Sequence, residues 1–290
     1  MILNWLQRTK PVNQAEVSEA SGPPDEATRA LIEKIGQYGW YHRIEVVPGV
    51  YTEPAGGGFQ ELWDFILSST AGIDFSGKRV LDVACRDGLF SFEAERRGAA
   101  SVRGVDNDLS LGATEFLIPH FQSKVTMEEL SLYELDPSKH GLSDLVLFFG
   151  VLYHLRYPFW GLKKVIDCLA EGGRLLVETG ILVDTKGTRE TELLFCPVGN
   201  SPYEPTSCTF FNERGLVTTL ESLGLRRIGH QVLETSACPA KNGEFRVNRQ
   251  YFEFQKEAIP RDKIGANLYW DGTHSYHSVE AKDDPGLKGR

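Results

Sequence analysis

Tyr153, His154, Arg156 and Tyr157 lie close together in Gly150-Val-Leu-Tyr-His-Leu-Arg-Tyr-Pro158, directly after the apolar run Asp144 to Phe149. Two phenols, an imidazole and a guanidinium thus leave one strand end together. Imidazole has a reference pKa near neutrality, so His154 can serve as a general base. It can equally be a hydrogen-bonded structural group. Asp106 ends a second strand-like run, Val102-Arg-Gly-Val-Asp106. A carboxylate there offers two acceptor oxygens to the paired hydroxyls of a ribose, or it is simply a turn residue. About 18 residues before it, Val80-Leu-Asp-Val-Ala-Cys-Arg-Asp-Gly88 reads as strand, tight turn and helix start. Ala84 and Arg86 stand where nucleotide loops usually carry glycine, and Gly88 remains. Asp82 is a charge inside the strand. It can accept from the loop amides or receive the ammonium of a cofactor.

These groups need a sheet edge, and the chain supplies one. Strands expected at 80–84, 102–106, 125–132, 144–149 and 174–178 alternate with helices at 89–97, 109–121 and 158–170. Alternation of this kind implies a mostly parallel sheet wound on both faces. A helix at 212–223 and strand-like runs at 225–233 and 249–256 would close the sheet as an antiparallel pair. Ahead of this core, Asp25 can cap a helix ending at Gly36, and an aromatic, strand-like stretch follows from Trp40 to Thr52. The expected organisation is a tail at 1–25, a cap at 26–75, a core at 76–257 and an extension at 258–290.

The chain has 290 residues and a net charge of −9. An acidic chain has no bulk attraction for nucleic acid, although a basic face can still exist. Its five cysteines are scattered without metal-ligand spacing. That points to reduced thiols, no metal and a cytoplasmic setting. The apolar start, Met1 to Leu6, is too short for a signal peptide or a membrane span.

Four segments together carry a resemblance. Asp82-Val-Ala-Cys-Arg-Asp-Gly88, Gly104-Val-Asp106, Gly150-Val-Leu-Tyr-His154 and Leu169-Ala-Glu-Gly-Gly-Arg-Leu-Leu-Val-Glu178 resemble class I S-adenosylmethionine-dependent methyltransferases. Within these, the chain is similar to the group around the bacterial tRNA wobble-uridine enzyme, which forms 5-oxyacetyl uridine from carboxylated S-adenosylmethionine. The resemblance covers roughly residues 38–235. It implies a Rossmann-like, doubly wound, mostly parallel seven-stranded sheet. Asp82, Ala84 and Gly88 would hold the methionine end of the cofactor, and Arg86 could meet its carboxylate or point to solvent. Asp106 and Asn107 would hold the ribose, Ser131 and Leu132 would lie by the adenine, and Gly150 would pass under the sulfonium. Tyr153 and His154 would face the methyl group and its acceptor.

The tRNA enzyme reads the extra carboxylate of its donor with a cationic cluster. Tyr153 matches one member, but Gln37 to Trp40 offer no cation for the expected lysine. Ordinary S-adenosylmethionine is therefore the expected cofactor, ahead of the carboxylated form. The expected function is methyl transfer to a small-molecule acceptor: a sugar, a lipid-linked compound or a secondary metabolite. The alternatives are tRNA uridine modification and a non-catalytic nucleoside-binding module. Trp40, Tyr41, His42, Arg156 and Tyr203 would cover the acceptor, though the aromatics could instead form the core of the cap.

Overall fold

Apolar residues on successive positions of a strand point to opposite faces, so an unbroken apolar strand must be covered on both sides. That is the state of the central strands. In the computed structural model, which describes residues 25–257 apart from 55–57, 185–192, 198, 202 and 240–244, Leu81 and Val83 face one layer and Val80 the other. The expected extension, and all of the expected tail but Asp25, lie outside the described residues.

The elements run in order as α1 (Glu26–Ile35), a hairpin of β1 (Glu45–Val47) and β2 (Val50–Tyr51), α2 (Gln60–Ser69), β3 (Arg79–Val83), α3 (Leu89–Arg96) and β4 (Ser101–Asp106). A π-helical turn (Ala113–Leu117) leads into α4 (Ile118–Phe121), then β5 (Thr126–Glu129), α5 (Pro137–His140), β6 (Ser143–Phe149), α6 (Pro158–Asp167) and β7 (Leu169–Asp184). The chain continues as β8 (Leu193–Phe195), β9 (Thr209–Phe211), α7 (Glu213–Ser222), β10 (Leu225–Pro239) and β11 (Phe245–Lys256). The main sheet has the order β10-β11-β7-β6-β3-β4-β5. β5, β4, β3, β6 and β7 are mutually parallel, and β11 and β10 close the edge antiparallel. The winding reverses between β3 and β6. Ligands of such sheets bind in the crevice at that point, outside the carboxyl ends of the strands.

One layer packs Leu162 and Val165 of α6 and Leu216 and Leu220 of α7 against Leu81, Val146, Val177 and Phe252. The opposite layer packs Trp63 and Ile66 of α2, with Phe90 and Ala94 of α3, against Val80, Leu147 and Tyr251. The cap hairpin and α1 pack on Phe116 and Leu117 of the π-helical turn.

Three expectations need adjustment. The helix expected at 109–121 is present as one helical stretch over 111–121, but its middle widens into a π-helical turn (Ala113–Leu117) before α4, where Pro119 has no N–H for the α ladder. The strand expected at 125–132 stops at Glu129, and a 3-10 turn takes Leu132–Glu134. β7 and β10 run beyond the expected ends because β11, an antiparallel partner, reaches along their length. Among the described residues, no helix is long and apolar enough to cross a membrane.

Candidate active site

The turn after β3 has three positive-φ positions, and only one of them is a glycine. Ala84 (φ 63°), Arg86 (φ 49°) and Gly88 (φ 85°) all lie in the left-handed region. For the two non-glycine residues this costs roughly 1–2 kcal/mol each. Anchors hold them there. The Ala84 amide donates to the Val105 carbonyl at 2.7 Å. The Arg86 amide donates to Asp106 Oδ2 at 2.9 Å, and the Asp108 amide to Asp106 Oδ1 at 2.8 Å. Asp106 is thus the buried post on which the loop is hung. A carboxylate oxygen has two lone pairs, so both oxygens can still take ligand hydroxyls. At Gly88, an added Cβ would come within 2.2 Å of Met127 Cε and 3.0 Å of Phe92 Cε2. Gly88→Ala is expected to lower stability by about 1–2 kcal/mol through the positive φ, before any repacking of Met127. Urea unfolding of the variant beside wild type measures it.

Asp82 does not bind the loop amides. It is 2% exposed, and Ser91 Oγ of α3 donates to its Oδ2 at 2.6 Å. Burial pushes its pKa up to about 7; the Ser91 bond opposes the rise and the charge of Asp106 adds to it. Arg86 does not line the cavity; it lies at the surface, paired with the exposed Asp108. Its Nη1 lies 2.5 Å from Asp108 Oδ2 and also meets the Asp108 carbonyl.

A cavity of about 320 Å³ lies at the carboxyl ends of β3, β4, β5 and β6. Ala84, Asp106, Asn107, Ser131, Leu132, Gly150 and His154 all line it. Four separate loops therefore deliver their expected residues to one wall. Asp82, Arg86, Gly88 and Tyr153 stand beside that wall instead.

The far side of the site holds residues that sequence reasoning missed. Arg249 of β11 is buried and clamps Glu178 of β7 with two bonds, Nε to Oε1 at 2.6 Å and Nη2 to Oε2 at 2.7 Å. Its Nη1 donates to the Tyr153 hydroxyl at 2.6 Å, with the guanidinium 4.5 Å from the ring centre. A Cβ on Gly150 would sit 3.6 Å from Arg249 Nη2, so the cluster lies directly beneath the Gly150 turn. Burial disfavours the cation, but Glu178 and Tyr153 outweigh it and hold Arg249 charged. Burial drives the Tyr153 phenol upward despite Arg249, so it stays protonated. The one sequence signal for the cluster was Glu178, a charge directly after the apolar run Leu175-Leu-Val177.

His154 is a third exposed. Burial lowers its pKa below the ordinary 6.5, while Glu204 pulls the other way. Its neighbours in the expected acceptor wall divide. Trp40 is buried in the core of the cap, where its Nε1 donates to the Ile35 carbonyl at 2.9 Å. His42 is 4% exposed and packs between Trp63 and Phe90. Arg156 is spent on the strap between β8 and β9, donating from Nη1 to the Cys196 carbonyl at 2.8 Å. Tyr203 packs edge-on to Tyr153 and Phe210. Tyr41 keeps a free face, at 44% exposure.

Asp87 joins the cap to the loop. It is fully buried, and its Oδ2 accepts from the Tyr41 amide at 2.5 Å and the His42 amide at 2.7 Å. Burial raises its pKa, but His42 and the two amides outweigh this and hold it below the usual range.

Residues 58–230 match a family model described as a methyltransferase domain. The chain belongs to this methyltransferase family. Solved structures agree on the fold of the chain. It is similar to the N-terminal domain of EvdMO1 with SAH bound, at a TM-score of 0.58 and 19% identity over 79% of this chain and 97% of that one. It is also similar to 1,6-didemethyltoxoflavin-N1-methyltransferase of Burkholderia thailandensis, at a TM-score of 0.50 and 15% identity over 68% and 79%. Both of those structures carry bound S-adenosylhomocysteine on the shared fold. Curated relatives of this chain include tRNA U34 carboxymethyltransferases. That of Stutzerimonas stutzeri is 30% identical over 177 residues, 60% of this chain and 54% of the relative. That of Methylococcus capsulatus is 38% identical over 114 residues, 39% and 35% of the two chains. The methyltransferase thus spans about half or less of the length of these relatives.

Proposed function

We propose that this enzyme transfers a methyl group from S-adenosylmethionine to a hydroxyl or amine of a small-molecule acceptor. The observation that carries the proposal is the cavity running from Asp106 through Gly150 to His154 across the carboxyl ends of adjacent strands. Its wall fits the cofactor. Asp106 and Asn107 would take the ribose, Ser131 and Leu132 would flank the adenine, and Gly150 would back the sulfonium. Asp82 and the positive-φ turn at Ala84 and Gly88 would serve the methionine end. When bound, the cofactor supplies a carbon already activated by sulfonium. What remains for the protein is alignment, exclusion of water and removal of one proton. Tyr153, fixed by Arg249, would orient the acceptor, His154 would take its proton, and Tyr41 would close the open side.

Support for a small acceptor comes from charge. The chain is acidic, and the acceptor side carries Glu204 as well as the Glu178 that neutralises Arg249. The second reading is a tRNA wobble-uridine enzyme using the carboxylated donor. It is favoured by the tRNA U34 carboxymethyltransferases among the relatives and by Arg249 beside Tyr153, a cation where the resemblance asks for a cluster. The clamp by Glu178 weighs against it.

Calorimetry distinguishes the readings. Ordinary S-adenosylmethionine is expected to bind one-to-one and more tightly than the carboxylated form. Asp106→Ala is expected to weaken binding about tenfold or more, the loss of hydrogen bonds to a charged acceptor. A clear preference for the carboxylated form would favour the tRNA reading. Binding of neither would sink both enzyme readings. In the same study, release of S-adenosylhomocysteine against a panel of hydroxyl and amine acceptors would identify the substrate class.

A further inference from the structure

The strap between β8 and β9 sets acceptors on both sides of the His154 ring. Glu204 Oε1 lies 3.4 Å from Nε2, and the Thr206 carbonyl oxygen lies 3.3 Å from Nδ1. A neutral imidazole has one N–H and one lone pair. Whichever nitrogen carries the hydrogen, the other turns a lone pair toward an oxygen. Only the imidazolium satisfies both contacts.

The arrangement is held by a built frame. Ser207 Oγ donates to Glu204 Oε1 at 3.1 Å. The Cys208 amide donates to the Tyr153 carbonyl at 2.9 Å, its thiol to the His154 carbonyl at 3.1 Å, and Thr209 Oγ1 to the Leu155 carbonyl at 2.6 Å. The strap is thereby stitched to the 153–155 turn. The His154 ring lies 4.1 Å from that of Tyr153, which Arg249 fixes in turn.

Methyl transfer to a neutral hydroxyl or amine must move a positive charge. The acceptor's oxygen or nitrogen forms a bond to the methyl carbon, the carbon–sulfur bond breaks with its electron pair staying on sulfur, and the acceptor releases one proton. The charge that leaves the sulfur goes with that proton. It needs a base whose protonated form is already provided for. An acceptor that arrives as a carboxylate or other anion needs no base, and would meet Glu204 instead.

We infer that Glu204 is a positioning residue that acts through His154, the two forming a carboxylate–imidazole pair that receives the proton of a neutral hydroxyl or amine acceptor. This rests on the reading of His154 as the base. Glu204 does not itself line the cavity; it holds the His154 ring in place and stabilises the imidazolium as it forms. The opposing pulls of burial and of Glu204 on His154 agree with such a pair.

The test is a histidine-labelled NMR titration of the full chain with S-adenosylhomocysteine bound. Glu204→Gln is expected to lower the His154 midpoint by about one pH unit, the usual effect of removing a nearby opposite charge. Glu204→Asp, which keeps the charge, is expected to restore most of that shift. A midpoint that is unchanged or raised in Glu204→Gln overturns the inference, as does a Glu204→Asp midpoint no higher than that of Glu204→Gln. Calorimetry with S-adenosylhomocysteine on the same samples reports the cofactor site separately. Loss of binding in wild type would sink the cofactor reading, and the titration repeated without the ligand would still decide the pair.

Discussion

Arg249→Ala is expected to destabilise the protein by on the order of 3–5 kcal/mol, the usual result of stripping one partner from a buried ion pair. Glu178 is fully buried and takes two of its hydrogen bonds from Arg249. Without the guanidinium its charge has no counter-ion in a dry layer. The Tyr153 hydroxyl loses its donor as well. The double variant Arg249→Met with Glu178→Leu is expected to be more stable than Arg249→Ala alone, because apolar replacement of both partners removes the uncompensated charge. Urea unfolding midpoints of the three proteins check the order. If Arg249→Ala matches wild type, water reaches Glu178 and the cluster is not dry.

The second large effect falls on turnover. His154→Ala is expected to leave S-adenosylhomocysteine affinity unchanged while lowering kcat by about 100-fold or more, the ordinary size of a general-base contribution. The measurement is calorimetry together with initial rates on the acceptor that the panel identifies. Burial holds the His154 pKa below 6.5 although Glu204 opposes it, so the base form dominates at neutral pH. The wild-type rate should therefore stay flat through neutrality and fall only as pH drops through that lowered value. Unchanged turnover in His154→Ala would make the histidine a structural group.

Much of the cavity wall was legible because its signals are local. A strand, a turn and an acid at the next strand end all lie within one stretch of sequence, and Asp106 needs no distant partner to be noticed. The Gly150 to His154 segment follows a strand that is apolar throughout, which puts it at a sheet edge. The acceptor side was less legible because its partners are far apart in the chain. Arg249 sits 96 residues beyond Tyr153, in a strand where Val247, Arg249 and Tyr251 are buried on one face and Asn248, Gln250 and Phe252 on the other. A strand buried on both faces gives no polar alternation to separate an inward arginine from an outward one. Glu178 was the available clue, since a carboxylate inside a buried strand requires a cation somewhere. Trp40 and His42 stayed open between two roles for a related reason. Aromatic residues mark an acceptor wall and a small core equally well, and only packing against Phe116, Trp63 and Phe90 separates the two.

The Asp87 bridge makes the cap and the cofactor loop thermodynamically reciprocal. The residue belongs to the turn that would hold the donor, yet its carboxylate is what the Tyr41 and His42 amides are tied to. If a docked cap tightens donor binding by some factor, a bound donor must tighten cap docking by the same factor. Tyr41 would then be fixed over the acceptor space most firmly when a methyl group is there to transfer. Exchange of the spent donor for a fresh one would be easiest when that grip is loosest.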